Sequence, residues 1–304
     1  MERTIFLGFN ALGDTLCSTP TIRAYRKAHP RAHITYITQH ATYTRVLDNN
    51  PDIDIILYSE LMAMHGLSKF SIDWLYTLPL DFSVPSMLYT FDITQVCTTQ
   101  EVFHSHIAKG FSSLLKIPIS SVRPIIRLTP EEEKAARSLI KGPYAILSRH
   151  SNSNPARKDG NGNVKDWPEE RWKKVCEYMR SRGIKKIISV GSEFDPQTRV
   201  EHWTNFYGLP IRLVAALMKH ASCVITLENG LGHLAHAVDA PMVMIYSDIV
   251  PLGWANPAEA TNCEVLYGDP HQLLPDDVIA AVDNILTRSS HLQPNSDYHA
   301  NMLL

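Results

Sequence analysis

The chain has 304 residues, 44% of them hydrophobic, which is enough for two domains with full cores. A net charge of −2 argues against nucleic acid as an obligate partner and leaves at most peripheral membrane contact. No run approaches the roughly 20 apolar residues that span a bilayer. The five cysteines are scattered and form no C-x-x-C pair, which is typical of reduced thiols rather than of disulfides or a zinc site. The cytoplasm is therefore the expected location.

Apolar runs of strand length alternate with helical patterns from the first residues onward. This alternation is typical of an α/β protein with parallel, doubly wound sheets. The helix after the first strand is expected to end near His29, because Pro30 stops it. Residues 61–103 are rich in aromatic residues, Met, Ser and Thr and show no clear period. The elements predicted before them are strands at 4–8, 34–38 and 53–58 and a short helix at 43–47.

A second α/β series is predicted after a helix that begins at Thr129. Thr129 is a good cap, Pro130 suits the first helical position, and the three glutamates that follow favour the positive end of the helix dipole. We therefore expect a first domain at 1–135, a second at 136–288 and a polar tail at 289–304. The elements predicted in the second domain are strands at 144–147, 186–190, 223–227 and 242–246 and helices at 168–182, 211–219, 231–238 and 275–287.

A Gly-rich turn separates the strand at 223–227 from the following helix. This order places free backbone N–H groups and the positive end of a helix dipole at the mouth of a parallel sheet, where a phosphate or diphosphate binds well. Such turns also occur as plain connections, so the turn alone leaves both interpretations open. A ligand contact is favoured for the histidine in the first helical turn. The residues of this turn are Glu228, Asn229, Gly230, Leu231, Gly232 and His233.

The first strand-to-helix turn, GFNALGDTL at 8–16, is a second candidate site. It does not match G-x-G-x-x-G, so a dinucleotide site is not indicated. Asp14 has two interpretations. It is either a carboxylate that caps the first helical turn, or a general base at the edge of a cleft.

A third candidate follows the strand at 144–147. Hydroxyl, amide and backbone donors at this strand end suit a diphosphate, as does Lys165 just before a helix. Trp167 and Trp172 are expected to be packing residues. The polar donors are Ser151, Asn152 and Ser153.

Two metal-like patterns are weaker. The D-x-D pattern at 52–54 opens an apolar strand, so a structural role is preferred. Glu101, His104 and His106 lack any supporting ligand spacing. No metal site is predicted.

Three segments together resemble glycosyltransferase family 9, the heptosyltransferase family. LGDTL at 12–16 with the following Thr19-Pro20 resembles the opening of that family. KDWPEERW at 165–172 resembles its K-x-W-P-x-x-x-W element, and ENGLGHLA at 228–235 resembles its D-[ST]-G-x-x-H-L-A loop. The three elements occur in the family's order over nearly the whole chain.

The resemblance implies a GT-B fold, in which two Rossmann-like domains face each other across a cleft. It implies an inverting, metal-independent glycosyltransferase without a cofactor, whose co-substrate is a nucleotide-sugar, usually ADP-heptose. Asp14 would be the base, and 151–153, Lys165 and 228–233 would bind the donor in the second domain. The first domain would bind a glycan, lipid-linked or protein acceptor, with Asn10, Gly13 and Thr15 in the acceptor-side loop.

The chain departs from the family pattern at three places. Glu228 replaces an Asp, Asn229 replaces a Ser or Thr, and an insertion at 155–163 lengthens the loop before Lys165. The altered donor loop leaves open a catalytically silent sugar-nucleotide-binding subunit as an alternative. A GT-B sugar-nucleotide epimerase is a second alternative, although that chemistry usually requires more carboxylates in the cleft than the sequence places there.

Overall fold

Two β-sheets organise the described part of the chain, and every strand pairing within it is parallel. The computed structural model describes residues 2–9, 11–60, 86–92, 105–151, 163–195, 203–257 and 259–292. The first sheet contains β1 (Arg3–Phe9), β2 (His33–Thr38), β3 (Ile55–Tyr58) and β4 (Ser86–Asp92) in the order β3-β2-β1-β4.

The second sheet is larger and forms the core of the second half. Its strands are β5 (Tyr144–Ser148), β6 (Lys186–Gly191), β7 (Trp203–Tyr207), β8 (Cys223–Leu227), β9 (Met242–Ser247) and β10 (Cys263–Gly268), in the order β10-β9-β8-β5-β6-β7. The central strands β5, β8 and β9 are buried along their whole length, as expected for parallel strands covered by helices on both faces.

Helices connect the strands of both sheets. The first half contains α1 (Leu12–Ala28), α2 (Ala41–Leu47) and α3 (Ile107–Leu115). Then follow α4 (Pro130–Leu139), α5 (Glu169–Ser181), α6 (Ile211–His220), α7 (Gly230–Ala237), α8 (Leu252–Ala255) and α9 (Pro275–Leu292). No helix in the described ranges is both long enough and apolar enough to cross a membrane.

Helix α1 continues through Pro20, which has no N–H to donate to the carbonyl of Leu16. The hydroxyl of Thr19 donates to this carbonyl at 2.6 Å. The same hydroxyl oxygen accepts the backbone N–H of Ile125 at 2.8 Å. Ile125 belongs to the linker, residues 116–129, which joins α3 to α4. The proline site is therefore where α1 is tied to the linker.

The predicted α/β alternation is confirmed, and the predicted start of α4 is confirmed in detail. Thr129 Oγ1 accepts the N–H of Glu132 at 3.2 Å, and the Glu132 carboxylate accepts the N–H of Thr129 at 2.8 Å. Helix α4 packs on α6 of the second half. We therefore propose that the whole of α4 belongs to the second domain and that the linker before it, rather than residue 135, separates the two.

Several element predictions need correction. Strand β3 begins at Ile55 rather than at residue 53, because the Asp54 carboxylate instead accepts the N–H of Ile34 at 2.7 Å. Helix α5 has Pro168 as its N-cap rather than in its first turn. Helix α9 continues past residue 287 to Leu292, so the predicted tail begins inside it, and 293–304 lie outside the described residues. The strands β4, β7 and β10 were not predicted.

Arg212 of α6 joins the two halves. Arg212 is 5% exposed, and its side chain forms a two-pronged ion pair with Glu132, with Nε···Oε1 at 2.5 Å and Nη2···Oε2 at 2.8 Å. Nη1 donates to the carbonyls of Arg45 at 3.2 Å and Asp48 at 3.0 Å, where α2 ends, and Nη2 donates to the carbonyl of Arg127 in the linker. One buried guanidinium thus holds α2, the linker and α4 together.

Replacing Arg212 by alanine is expected to lower the free energy of unfolding by about 2–4 kcal/mol, because three carbonyls and one carboxylate lose their donor. The partial exposure of Glu132 keeps the effect below that of a fully buried pair. Urea unfolding followed by tryptophan fluorescence measures the change. Arg31→Ala is the control, since this exposed arginine has no side-chain partner in the described ranges. Equal midpoints for the two variants would contradict the structural role of Arg212.

Candidate functional site at two facing helix ends

Helix α1 holds Asp14 in its first turn, just after the carboxyl end of β1. The N–H of Ala11 donates to Asp14 Oδ2 at 3.1 Å, so the carboxylate does cap the helix. Its other oxygen makes no hydrogen bond within the described residues, and the side chain is partly exposed. Burial raises the pKa of Asp14 to about 6, against the opposing effect of the His233 charge. The two interpretations of Asp14 are therefore compatible.

Helix α7 begins at the carboxyl end of β8 and is capped by Asn229. The Asn229 Oδ1 accepts the N–H of Gly232 at 2.9 Å, and Nδ2 donates to Ser148 Oγ at 3.0 Å and to the His150 carbonyl at 2.9 Å. A serine or threonine hydroxyl has one O–H, so it could accept the N–H of Gly232 but could not also donate to both of the other groups. The substitution at this position therefore links α7 to the end of β5.

The N–H groups of Gly230 and Leu231 remain available at the start of α7. They belong to the first helical turn, which has no internal acceptor for them, and no other acceptor lies in the described part of the chain. Free N–H groups and the positive end of a helix dipole together suit this helix end chemically to an anion.

The N-terminal ends of α1 and α7 touch each other, and two glycines allow this contact. A Cβ on Gly13 would lie 2.5 Å from Cδ2 of His233, and a Cβ on Gly230 would lie 3.0 Å from Cβ of Leu12. The first distance is shorter than real Cβ contacts, so a side chain at position 13 would displace the imidazole; the second would require Leu12 to move by a few tenths of an ångström. The contact places Asp14 of the first half beside His233 of the second.

A buried group of charges lies between the two helix ends. Lys165 Nζ is paired with Glu228 Oε2 and lies 3.3 Å from the Glu228 carbonyl oxygen. The other Glu228 oxygen, Oε1, lies 3.8 Å from His233 Nε2. The side chains of Lys165, Glu228 and His233 are all less than a tenth exposed. The methylene that distinguishes Glu228 from the family's aspartate is thus accommodated in a carboxylate that contacts both cations.

Charge pairing decides the protonation of this group. Burial acts to raise the pKa of Glu228, but His233 and Lys165 hold it below its usual value. Burial acts to lower the pKa of His233, yet the contacts with Cys17 and Glu228 raise it well above its usual value. These contacts favour the protonated imidazole, whose Nδ1 lies 3.4 Å from Cys17 Sγ.

Cys17 is the residue of this site that the sequence did not indicate. It lies on α1 and is fully buried, and its contact orients the imidazole of α7. Only its position one turn after Asp14, on the same face of the helix, signals it in the sequence.

The remaining predicted residues are dispersed. Thr15 is fully buried and its hydroxyl donates to the Ala11 carbonyl at 3.0 Å, so the structure does not bring it to the cleft. The Ser151 N–H donates to Asp166 Oδ1 at 3.2 Å, beside Lys165 in the chain. Some of the residues and segments singled out in the sequence lie outside the described ranges: Asn10, Asn152, Ser153, Glu101, His104 and 155–162 of the insertion.

The metal-like patterns have structural partners. Asp52 pairs with Arg23 at 3.0 Å and Asp54 with Arg26 at 2.5 Å. His106 caps α3, with Nδ1 accepting the N–H of Ala108 at 3.1 Å. The described residues hold no group of three or more His, Cys, Asp or Glu placed to bind a metal ion.

The protein has two α/β halves, each built on a sheet of parallel strands, and helix ends of the two halves face each other. This arrangement is that of the GT-B class. The chain matches the structure of the E. coli ADP-heptose lps heptosyltransferase II with a TM-score of 0.72 and 13% identity, over 95% of this chain and 99% of that one. It matches E. coli heptosyltransferase WaaC with ADP with a TM-score of 0.66 and 14% identity, over 93% and 99%. These likenesses show the GT-B fold.

Residues 105–269 match the family described as glycosyltransferase family 9 (heptosyltransferase), and the chain belongs to that family. A curated relative is lipopolysaccharide heptosyltransferase 1 of Escherichia coli (strain K12), which is 27% identical over 93 residues. That stretch covers 29% of this chain and 29% of the relative.

Proposed function

We propose that this protein is an inverting glycosyltransferase that moves a sugar from a nucleotide-sugar to an acceptor hydroxyl. The observation that carries the proposal is the contact between the ends of α1 and α7. It places a carboxylate of raised pKa on one half, Asp14, beside an anion-binding helix end on the other. A transferase needs this combination, a base for the acceptor and positive charge for the departing nucleotide.

The second half supplies the donor site. The diphosphate lies against the N–H groups of Gly230 and Leu231, within reach of the charges of Lys165 and His233. These groups stabilise the negative charge that develops as the nucleotide departs. They are the reason for proposing that the transfer runs without a metal ion. ADP-heptose is the proposed donor because relatives are named for it or for ADP.

The first half supplies the base. An acceptor hydroxyl attacks the sugar's anomeric carbon from the face opposite the leaving diphosphate, and Asp14 takes its proton. Attack from the opposite face inverts the anomeric configuration. The acceptor is proposed to be a glycan, lipid-linked or protein hydroxyl, and the cytoplasmic location stays a prediction.

A ligand panel followed by a transfer assay tests the proposal. ADP is expected to raise Tm more than UDP, GDP or CMP, because ADP-heptose is the proposed donor. A ligand present at about 100 times its Kd stabilises the folded protein by roughly 2.7 kcal/mol, which gives a measurable shift in Tm. In the transfer assay, ADP-heptose should be consumed only when an acceptor is present. Consumption should continue in EDTA, which removes metal ions. NMR of the product should show the inverted anomer. Binding without turnover would favour the silent subunit, whereas conversion of the nucleotide-sugar without an acceptor would favour the epimerase.

The pH dependence of kcat/KM is expected to report Asp14. The base works only when ionised, and its pKa is raised to about 6, so kcat/KM should be constant above about pH 7 and fall tenfold per unit well below pH 6. ADP affinity over the same range shows whether the donor site stays intact. A kcat/KM independent of pH between about 5 and 8 would contradict the assignment.

A further inference from the structure

A large cavity lies on the linker side of α1, away from the facing helix ends. Its volume is about 720 Å³, within the range of small-molecule sites. The walls are the C-terminal half of α1, the linker and Ala237 at the end of α7. Arg23 is the basic residue of this wall that is nearest to Asp14 in the chain. At a rise of 1.5 Å per residue, it lies roughly 14 Å from Asp14 along the helix axis. The cavity is therefore separate from the proposed catalytic site.

The lining of this cavity carries only positive charge. No carboxylate is among its described lining residues, whereas α1 and the linker each contribute two basic side chains. The four basic residues are Arg23, Lys27, Arg123 and Arg127.

Two of the four cations are already neutralised from outside the cavity. Arg23 Nε pairs with Asp52 Oδ2 at 3.0 Å, and Arg123 Nη1 pairs with Asp239 Oδ2 at 3.3 Å. Each pair engages only part of a guanidinium, which has five N–H donors. Both arginines therefore keep donors for a ligand in the cavity.

The other two cations are uncompensated. Lys27 and Arg127 are exposed, and neither side chain has a partner in the described ranges. Lys27 lies in the last turn of α1, where a cation also favours the helix dipole. That effect does not account for Arg127, which faces the same cavity from the linker. The four basic side chains and their two carboxylate partners together carry an excess of two positive units. A further carboxylate beside the lining, Glu259, is engaged by the Ser121 hydroxyl and the N–H of Val122.

We propose that this cavity binds an organic phosphate monoester. Such a group carries a charge of about −1.5 to −2 at neutral pH, which matches the excess charge, and its oxygens fit the arginine fork. The apolar side chains of Ile117, Ile125 and Ile126 line the same cavity and accommodate the organic part.

The bound phosphate connects α1 of the first half to the linker. Arg23 and Lys27 belong to the first half, Arg123 and Arg127 to the linker, and the wall at Ala237 to the second half. An anion held by α1 and the linker therefore holds the linker against α1. This inference does not rest on the proposed function, because it concerns a separate site with its own ligand.

Calorimetric titration with glucose 6-phosphate, at constant ionic strength set with sodium chloride, tests the site. Lys27→Gln/Arg127→Gln should weaken binding at least about tenfold, because two charge-assisted contacts are lost. Arg31→Gln/Lys174→Gln is the control, since it makes the same change at two exposed cations outside the cavity. It should bind as the unmodified protein does.

Two further arms separate the source of the phosphate and the place of binding. Co-sedimentation with phosphatidylcholine vesicles, with and without phosphatidic acid, shows whether a lipid headgroup supplies the monoester. Binding of either probe should persist in Lys165→Met/Glu228→Gln, which removes a cation from the catalytic site. Weaker binding of glucose 6-phosphate or of phosphatidic acid vesicles by Lys27→Gln/Arg127→Gln than by its control supports the proposal. Equal binding by the cavity variant and its control, or no binding of either probe, would overturn it.

Discussion

Replacing Asp14 by asparagine should lower kcat by about 10²–10⁴, with little change in the affinity for ADP. The amide has the shape of the carboxylate, and its oxygen still accepts the N–H of Ala11, so the first turn of α1 is preserved. The amide, however, is not a base and does not take a proton from an acceptor hydroxyl. The loss therefore falls on the chemical step and not on the donor site of the other half.

Steady-state transfer from ADP-heptose measures this loss, and calorimetry with ADP measures the donor affinity. Asp276→Asn is the matched control, because Asp276 is also a carboxylate in a first helical turn, exposed and on α9. That variant should keep full turnover. Unchanged turnover in Asp14→Asn would show that another group takes the proton.

Replacing Lys165 by methionine should lower both stability and donor affinity. The ammonium is paired with Glu228 where both side chains are less than a tenth exposed. Loss of one partner leaves a buried carboxylate, which costs about 3 kcal/mol, at the lower end for such pairs because His233 remains beside it. The affinity for ADP should fall about tenfold to a hundredfold, since a charge-assisted contact with the diphosphate is lost.

The double variant Lys165→Met/Glu228→Gln separates these two effects. Neutralising both partners removes the buried carboxylate but leaves His233 without its partner, so urea unfolding should show part of the stability regained. The affinity for ADP should stay low, because the cation is still missing. A double variant that binds ADP as tightly as the unmodified protein would exclude Lys165 from the donor site.

Strands in the middle of the sheets were predicted well, whereas three edge strands were missed. Strands β5, β8 and β9 are continuous apolar runs because both of their faces are covered. Strands β4, β7 and β10 each lie at an edge of their described sheet. The last two are mostly half-buried, so polar residues such as Asn205 and Glu264 interrupt the apolar pattern that identifies a strand.

The candidate site divides in the same way between local and long-range information. The position of Asp14 in a first helical turn and the Gly-rich start of α7 depend on neighbouring residues, and both were predicted. The Asn229 cap is also local, but its bonds to Ser148 and the His150 carbonyl join strands that are distant in the chain. A sequence pattern indicates that such a side chain is capable of bonding, without indicating its partner.

The sequence by itself determined the α/β class, the succession of the main elements and the family, because these depend on apolar periodicity, caps and short motifs. Only the tertiary structure decided that the ends of α1 and α7 touch, that Cys17 orients His233 and that Glu228 pairs with Lys165. Those contacts join residues far apart in the chain, and they depend on how both sheets and all their helices pack. The absence of a side chain at Gly13 is local information, but the ring that occupies the space is known only once the two halves meet.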